Sequence, residues 1–263
     1  MMAFNKPGRL KIKMNDVNFW TYSDDIPDGA GFNQFSLYHI CWLIFIIALS
    51  VVLGIYYSKQ NEKKRDIILK IIGSFLVFLI FLRIGVLYAG NHMSVYELPL
   101  HLCSLAGFVC FFHAFFKWDF LGQVLYSLCL PGTVCALIFP DWSYYPAFNF
   151  ITLQGFIFHG GIVIYTVLGL IGEDIKPSIF KMWKAIAFLV IIVPVIYVFD
   201  RHFDVNYMFV LRPSPDSPLE WIDNKTGSLW YLPGYAVLVM IVVTLMNVLY
   251  GAIHGFKRRD NDN

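Results

Sequence analysis

Long apolar segments, separated by short polar ones, run through most of the chain after residue 35. A helix that crosses a bilayer needs about 20 mostly apolar residues. Seven segments meet this requirement: 36–57, 67–89, 97–116, 120–139, 148–172, 182–199 and 230–254. Three residues separate the third segment from the fourth, so we expect these two to form a tight helical hairpin. The pattern predicts an all-α bundle of seven transmembrane helices.

The polar regions divide the chain into three parts. Residues 1–35 are polar and of mixed charge, which predicts a tail or an interfacial segment. Residues 36–257 form one transmembrane domain, and residues 258–263 form a short cytoplasmic tail. The long loop at 200–229 is too apolar in its middle to be a free linker. We expect this loop to cap the outer mouth of the bundle.

Lysine and arginine fall in alternate loops, which predicts how the chain is oriented in the membrane. Eleven basic residues share one side of a seven-span topology: Lys59, Lys63, Lys64, Arg65, Lys117, Lys176, Lys181, Lys184, Lys257, Arg258 and Arg259. The loops at 90–96 and 140–147 have no lysine or arginine. Cytoplasmic loops are enriched in these residues. The C-terminus is therefore predicted to be cytoplasmic and the N-terminus outside.

Composition supports the membrane assignment and excludes other classes of protein. The chain is 58% hydrophobic and 14% charged, its mean hydropathy is +0.61, and its net charge is +2. A soluble domain is nearer a quarter charged, and this small net charge predicts no nucleic-acid partner. All five cysteines lie within apolar segments, so we expect neither a disulfide framework nor a zinc site. The expected partners are membrane lipids, with no cofactor and no cleaved signal peptide.

The third apolar segment opens with an unusually polar stretch at 96–104. Polar groups this close to hydrocarbon are costly and are usually functional. On a helix that starts at residue 97, Glu97, His101 and Ser104 would form one stripe, because their spacings are i, i+4 and i+7. Cys103 would point elsewhere unless Pro99 distorts the first turn.

A second group of polar residues is predicted to meet this stretch in the outer half of the membrane. Arg83 lies about 9 Å inside the outer end of the second segment, from the rise of 1.5 Å per residue. We predict an ion pair between Arg83 and Glu97, either functional or purely structural. Unpaired, Arg83 could instead extend outward to the headgroups.

Two more histidines can reach the same half. His159 lies near the middle of the fifth segment, and Gly160 and Gly161 after it would let a neighbouring helix or a lipid chain come close. His39 lies near the outer start of the first segment. A lone intramembrane histidine is more often a hydrogen-bond partner between helices than a catalyst. That structural interpretation weighs most for His39, because it lies near an interface.

Plainer interpretations also exist for the other candidate residues. The cysteines are small core residues in most such positions, and Ser104 could simply bond the carbonyl of Leu100. Glu97, His101 and His39 could share a metal ion, but the chain has no HxxxH or HExxH pair. We therefore predict no metal.

Short motifs in a fixed order resemble the bacterial YwaF family of integral membrane proteins. The motifs are Leu98-Pro99-Leu100-His101-Leu102-Cys103, His159 two segments later, Asn206-Tyr207-Met208 in the outer loop, and Trp230-Tyr231. The resemblance covers nearly all the apolar segments. It implies a multi-pass protein of a bacterial plasma membrane.

That family is in turn similar to eukaryotic multi-span acyltransferases that remodel ether phospholipids. Those enzymes carry a cysteine nucleophile in a Pro-Cys-His motif and an essential histidine two spans later. A more distant group hydrolyses fatty-acid esters of hydroxy fatty acids with a threonine nucleophile. His101 and His159 match the two histidines, whereas Leu100 occupies the position of the nucleophile.

The sequence leaves two classes of function open. The first is a lipid acyltransferase, transacylase or ester hydrolase that acts from the outer leaflet. In this class, His101 or His159 is the general base, and Cys103 or Ser104 is the nucleophile if one is needed. A one-step transfer, in which the histidine activates the acceptor hydroxyl directly, needs no nucleophile and agrees better with Leu100 at the relatives' nucleophile position.

The second class is a non-enzymatic protein that binds lipid or another ligand, or an accessory subunit. In either class, the groups expected to bind or orient a headgroup are Glu97, Arg83, His39, Asn206 and Tyr207. An enzyme requires His101 and His159 to converge on one accessible cavity, and a scaffold requires neighbours to hold them by hydrogen bonds with no cavity.

Overall fold

The apolar segments form helices, and the computed structural model describes them within residues 14–214 and 217–261. The α-helices in this part of the chain are α1 (Leu37–Ser58), α2 (Glu62–Ala89), α3 (Leu102–Phe116), α4 (Asp119–Val124), α5 (Leu130–Ile138), α6 (Phe150–Ile171), α7 (Trp183–Phe203), α8 (Pro218–Thr226) and α9 (Ser228–Asn261). Short 3₁₀ turns lie at Met14–Asp16, Ser23–Asp25, Val95–Glu97, Ile179–Lys181 and Tyr207–Phe209. The described residues contain no strand.

Six helices within residues 14–214 and 217–261 are long and apolar enough to cross a membrane. They are Leu37–Ser58, Glu62–Ala89, Asp119–Ile138, Phe150–Ile171, Ile179–Phe203 and Ser228–Ile253. Helix α3 is also apolar but has 15 residues, which is about 22 Å of helix. The described chain is thus an all-helical membrane protein with six candidate spans and one shorter apolar helix.

The third predicted span begins later than the sequence pattern indicated. Helix α3 starts at Leu102, and His101 is its N-cap with φ −64° and ψ 150°. Leu98 is also extended, with ψ 147°, because a residue that precedes a proline is disfavoured in the helical region. The predicted stripe of Glu97, His101 and Ser104 on one helix face is therefore wrong.

The fourth span contains a local irregularity just before Pro131. A π-helical turn, Leu125–Cys129, joins α4 to α5. There the backbone N–H of Leu130 donates to the carbonyl of Leu125, five residues earlier. The span runs through this turn from Asp119 to Ile138 as one candidate membrane helix.

Burial divides the bundle into central and peripheral helices. More than half of the span residues are buried in Asp119–Ile138 (56%) and α6 (61%), against 11% in α7 and in α9. Gly160 and Gly161 allow α6 to pack closely, because a Cβ there would meet the side chains of Ile46 and Leu76 at about 3 Å. The central helices therefore position the buried polar groups, and α7 and α9 present most of their surface outward.

The two ends of the bundle differ in the segments that cover them. We name the end with residues 90–101, 139–149 and 204–212 the His101 end, and the opposite end, which carries Lys117, the Lys117 end. At the His101 end, the carbonyl of Phe19 accepts from the backbone N–H of Phe150 at 2.9 Å.

Residues 14–35 of the predicted N-terminal segment are therefore folded against the bundle. Residues 1–13 and the last two residues of the predicted cytoplasmic tail lie outside the described part of the chain.

The predicted capping loop at 200–229 is partly helical. Helix α7 continues to Phe203, and α8 occupies Pro218–Thr226. Between them, the Asn206 side chain ties the segment to itself. Its Oδ1 accepts from the backbone N–H groups of Leu211 and Arg212 at 3.1 and 3.2 Å, and its Nδ2 donates to the Arg212 carbonyl at 2.9 Å. This segment lies against His101, as described next.

Candidate functional site

The ion pair predicted from the sequence is present at the His101 end. An Nη of Arg83 lies 2.8 Å from Oε2 of Glu97, and the two side chains are 36% and 7% exposed. Tyr22, from the N-terminal segment, lies beside the pair. Burial first and the negative charge of Glu97 second raise the pKa of the Tyr22 hydroxyl. The prediction of an Arg83–Glu97 pair is confirmed.

His101 is held by the segment that follows α7. The backbone N–H of Met208 donates to Nδ1 of His101 at 3.4 Å, and the Tyr207 ring lies edge-on at 4.8 Å between centroids. A backbone N–H can only donate, so Nδ1 accepts and the proton of the neutral imidazole is on Nε2. His101 therefore presents an N–H donor at Nε2.

His159 has the opposite arrangement. Its Nδ1 lies 2.7 Å from the carbonyl of Gly155, one turn earlier in α6. A carbonyl can only accept, so Nδ1 carries the proton and the lone pair is on Nε2. The Trp142 ring stacks on the imidazole, with centroids 4.7 Å apart and planes at 24°. The stack and the hydrogen bond together fix the direction in which Nε2 points.

Both imidazoles contact segments of the His101 end, since Met208 bonds His101 and Trp142 stacks on His159. Within the described part of the chain, the Nε2 atoms of His101 and His159 make no hydrogen bond, and both side chains are partly accessible. One histidine thus offers a base and the other a donor. A base and a hydrogen-bond donor are the two groups that acyl transfer from an ester uses.

A carboxylate that sequence reasoning missed lies beside this pair. Asp141 follows α5 in the loop at 139–149, within electrostatic range of His159, Arg83 and Glu97. Neighbouring protein atoms partly shield the carboxyl from water and raise its pKa, against the opposing effect of His159 and Arg83, although the residue keeps exposed surface. The signal that could have identified it was an acidic residue in a loop without lysine or arginine.

The polar groups of the site keep accessible surface. Arg83, His101 and His159 are partly exposed, and Asp141 is exposed. We call the region of the His101 end that these four side chains border the polar recess.

Aromatic residues from two segments line the approach to this recess. Tyr22 packs against Tyr145, with centroids 5.8 Å apart, and Tyr145 against Tyr144 at 4.4 Å. The Tyr145 hydroxyl accepts from the backbone N–H of Ser23. The sequence analysis did not identify Trp142, Tyr144 or Tyr145, because residues 140–147 show no periodic pattern.

The two nucleophile candidates differ in their surroundings. Cys103 is partly buried in the first turn of α3, and its thiol approaches the hydroxyl of Thr133, which is buried and has no hydrogen bond of normal geometry. No described hydrogen bond links Cys103 or Ser104 to either histidine. The arrangement does not pair a thiol or a hydroxyl with a base.

His39 is fully buried and engaged elsewhere. Its Nε2 donates to the carbonyl of Leu137 at 2.8 Å, and its Nδ1 accepts from the backbone N–H of Phe35 at 3.0 Å. Both ring nitrogens are therefore occupied by backbone groups, which gives His39 a structural role between α1 and the end of α5.

The predicted orienting residues of the outer loop lie at different distances from the site. Tyr207 is buried, its ring contacts His101, and its hydroxyl donates to the carbonyl of Val95. Asn206 bonds its own loop and touches neither histidine through any described hydrogen bond. Tyr207 thus helps hold His101, and Asn206 shapes the segment that carries Tyr207. Among the residues that the structure describes, no group of three or more His, Cys, Asp or Glu could hold a metal ion.

The fold and the site define a multi-span α-helical membrane protein with a recess of histidine, carboxylate and arginine at one end. Residues 34–250 match the TMEM164 family, and the chain therefore belongs to this family of multi-span membrane proteins. No curated protein and no solved structure matches the chain.

Proposed function

We propose that the protein is a lipid acyltransferase or transacylase of the YwaF type that acts from the outer leaflet. The observation that carries the proposal is the opposite protonation of two histidines at one recess. Nε2 of His159 has a free lone pair, whereas Nε2 of His101 has a free N–H. Acyl transfer needs a base for the attacking hydroxyl and a donor for the carbonyl oxygen.

In the proposed reaction, His159 Nε2 takes the proton of an acceptor hydroxyl as the hydroxyl oxygen bonds to the acyl carbonyl carbon of a donor ester. The carbonyl electron pair moves onto its oxygen, which accepts a hydrogen bond from His101 Nε2–H. The bond between this carbon and the donor's alkoxy oxygen then breaks. That oxygen takes the proton back from the His159 imidazolium, and with water as acceptor the same steps give hydrolysis.

Asp141 and Arg83 complete the electrostatics of this mechanism. His159 becomes a cation while it holds the proton, and the carboxylate of Asp141 lies near enough to stabilise that charge. Arg83 is held by Glu97 at 2.8 Å. It adds a fixed positive charge to the recess, where the oxyanion forms.

A direct transfer fits the surroundings better than an acyl-enzyme. A nucleophile requires a base within hydrogen-bond reach. The thiol of Cys103 approaches Thr133 instead, and Leu100 at the relatives' nucleophile position has no nucleophilic atom. The histidine pair needs neither residue, because the acceptor hydroxyl itself attacks.

We also infer that α3 is the seventh span. Its 15 residues cover about 22 Å, and the segment from Val95 to His101 can extend the crossing to the interface. Seven spans put the termini on opposite sides, and the distribution of lysine and arginine then favours a cytoplasmic C-terminus. The His101 end would face outward, in a bacterial plasma membrane.

The test is lipid turnover by the purified protein, reconstituted with an isotope-labelled phospholipid donor and a lysolipid acceptor and followed by mass spectrometry. His159→Ala should lower acyl exchange by about 10²–10⁴-fold, the usual contribution of a general base. His101→Ala should lower it by about 10²–10³-fold. Cys103→Ala should leave it nearly unchanged.

His202→Ala is the matched control, because His202 is an exposed histidine in α7. The alternative function is a non-enzymatic lipid-binding protein or an accessory subunit. If wild type and variants fold and retain the same lipids without exchanging acyl groups, the alternative is correct. If Cys103→Ala also abolished acyl exchange, the mechanism would be one with an acyl-enzyme and not the direct transfer.

A further inference from the structure

A second polar feature lies apart from the histidine recess, between α7 and α9. A groove of about 580 Å³ opens at the His101 end, between the last turns of α7 and the first turns of α9, and the segment 210–212 forms one of its walls. Both helices present most of their span residues outward. The groove therefore lies where the bundle meets the lipid headgroups.

Two arginines from different elements enter this groove. Arg201 belongs to the last turn of α7, is exposed, and has no ion pair within the described part of the chain. Arg212 comes from the loop and lies 3.6 Å from Asp204, and the two side chains are 54% and 82% exposed. An exposed ion pair of this kind contributes little, so a ligand can replace it. Guanidinium groups bind phosphate through paired N–H groups.

Two carboxylates balance these arginines. Asp204 lines the groove with Asp200, and the other lining residues are uncharged, so the charges in the wall sum to zero. Asp200 is fully buried, and neither of its carboxylate oxygens has a hydrogen bond, although the backbone N–H of Tyr207 approaches it. An uncompensated buried carboxylate is costly. A cationic group in the groove would offset that cost.

We propose that this groove binds the headgroup of a zwitterionic membrane phospholipid, with the phosphate at Arg201 and Arg212 and the amine at the exposed Asp204, where the charge of the buried Asp200 also attracts it. Apolar side chains complete the site, since Leu229, Leu232 and Pro233 of α9 line it beside Tyr197 of α7. These side chains provide a surface for the start of the acyl chains. An anionic headgroup would meet two carboxylates without a cation of its own.

This inference does not rest on acyl transfer, since the groove shares no residue with the histidine recess. The test uses native mass spectrometry of the purified protein released from nanodiscs that contain equal amounts of phosphatidylethanolamine and phosphatidylglycerol. Wild type should retain phosphatidylethanolamine preferentially. The double variant Arg201→Ala with Arg212→Ala should retain it about a hundredfold less, because each of the two lost charged hydrogen bonds to phosphate is worth about a factor of ten.

The variant Asp200→Asn tests the contribution of the amine separately from that of the phosphate. This variant should keep phospholipid binding but lose the preference for phosphatidylethanolamine, and it should fold, because it removes an unpaired buried charge. The matched control is Lys59→Ala with Lys63→Ala, which removes two exposed positive charges at the Lys117 end.

Three results would overturn the proposal. One is unchanged retention of phosphatidylethanolamine in the double arginine variant. Another is equal retention of both lipids by wild type. The third is full displacement of phosphatidylethanolamine by inorganic phosphate at millimolar concentration, which would make the groove a simple phosphate site.

Discussion

Two groups of polar side chains in the described part of the bundle differ in how completely their hydrogen bonds are made. Nearer the Lys117 end, Gln123 donates to Ser127 at 2.8 Å and to Asn247 at 2.7 Å, and accepts from the backbone N–H of Ser178 at 3.2 Å. Asn247 in turn donates to Ser127 at 2.9 Å and to the Val243 carbonyl at 2.8 Å. These three side chains, which we call the Gln123 network, are at most 2% exposed.

The recess at the His101 end is incomplete by comparison. His101 and His159 each use one ring nitrogen and leave the other accessible. A fully bonded network is what stabilises contact between helices in a membrane. A reaction instead requires donors and acceptors that are not used by the protein, because these groups must bind the substrate. The difference distinguishes a structural role from a chemical one more sharply than residue type does.

The largest effect that would sharpen this contrast is expected from Asp141→Asn. The variant removes the charge that stabilises the His159 imidazolium, and lipid turnover should fall by about a hundredfold, as when one preorganised electrostatic group is lost. Acidity should act in the same direction on wild type. The pKa of Asp141 is raised, so the carboxyl takes up a proton at higher pH than usual, and turnover should fall as the pH drops through that value.

The pH profile of lipid turnover checks this prediction. Asp141→Asn should shift the acid limb that the wild type shows, because protonation of the base His159 then sets this limb without Asp141. Asp119→Asn is the control, because Asp119 lies at the Lys117 end, where it pairs with Lys181 at 2.7 Å. An identical acid limb in wild type and Asp141→Asn would contradict the role of Asp141.

An intermediate effect is expected from the Gln123 network, and on stability alone. Gln123→Leu leaves Oδ1 of Asn247 and the backbone N–H of Ser178 without their partner, which should cost about 1–3 kcal/mol of unfolding free energy. Turnover per folded molecule should not change. Detergent-titrated unfolding, with turnover normalised to folded protein, measures both quantities.

Two further variants make this test specific. Gln123→Leu combined with Asn247→Leu should destabilise by less than the sum of the single changes, because the two side chains are partners. Thr244→Leu, one turn earlier in α9 and exposed, should have little effect. A specific loss of turnover in Gln123→Leu would mean that the network takes part in the chemistry.

The smallest effect is expected from Tyr207→Phe. The change deletes the hydroxyl that donates to the Val95 carbonyl but keeps the ring against His101. The loss of one hydrogen bond should cost about 1 kcal/mol and lower turnover by less than tenfold. Tyr56→Phe, at an exposed position of α1, is the comparison. Equal stability of the two variants would show that the bond to Val95 does not help to hold His101.

Local properties of the chain predicted most of the helices and one contact. A run of apolar residues is helical and membrane-spanning wherever it lies in the bundle, so six of the seven predicted segments appear as long apolar helices. The Arg83–Glu97 pair was predictable because a deeply placed arginine needs a partner at the same depth. The start of α3 was predicted five residues too early, at residue 97 instead of Leu102. Pro99 and the contacts of residues 95–101 keep this segment out of the α-helix although it is apolar.

What the sequence determined by itself is the membrane class, the order of the helices and the identity of the polar residues that need partners. Tertiary structure decided which of those residues have partners. Trp142 reaches His159 because the loop after α5 folds over α6, and Met208 reaches His101 across more than a hundred residues. No local pattern records such contacts, and they set which nitrogen of each histidine is free.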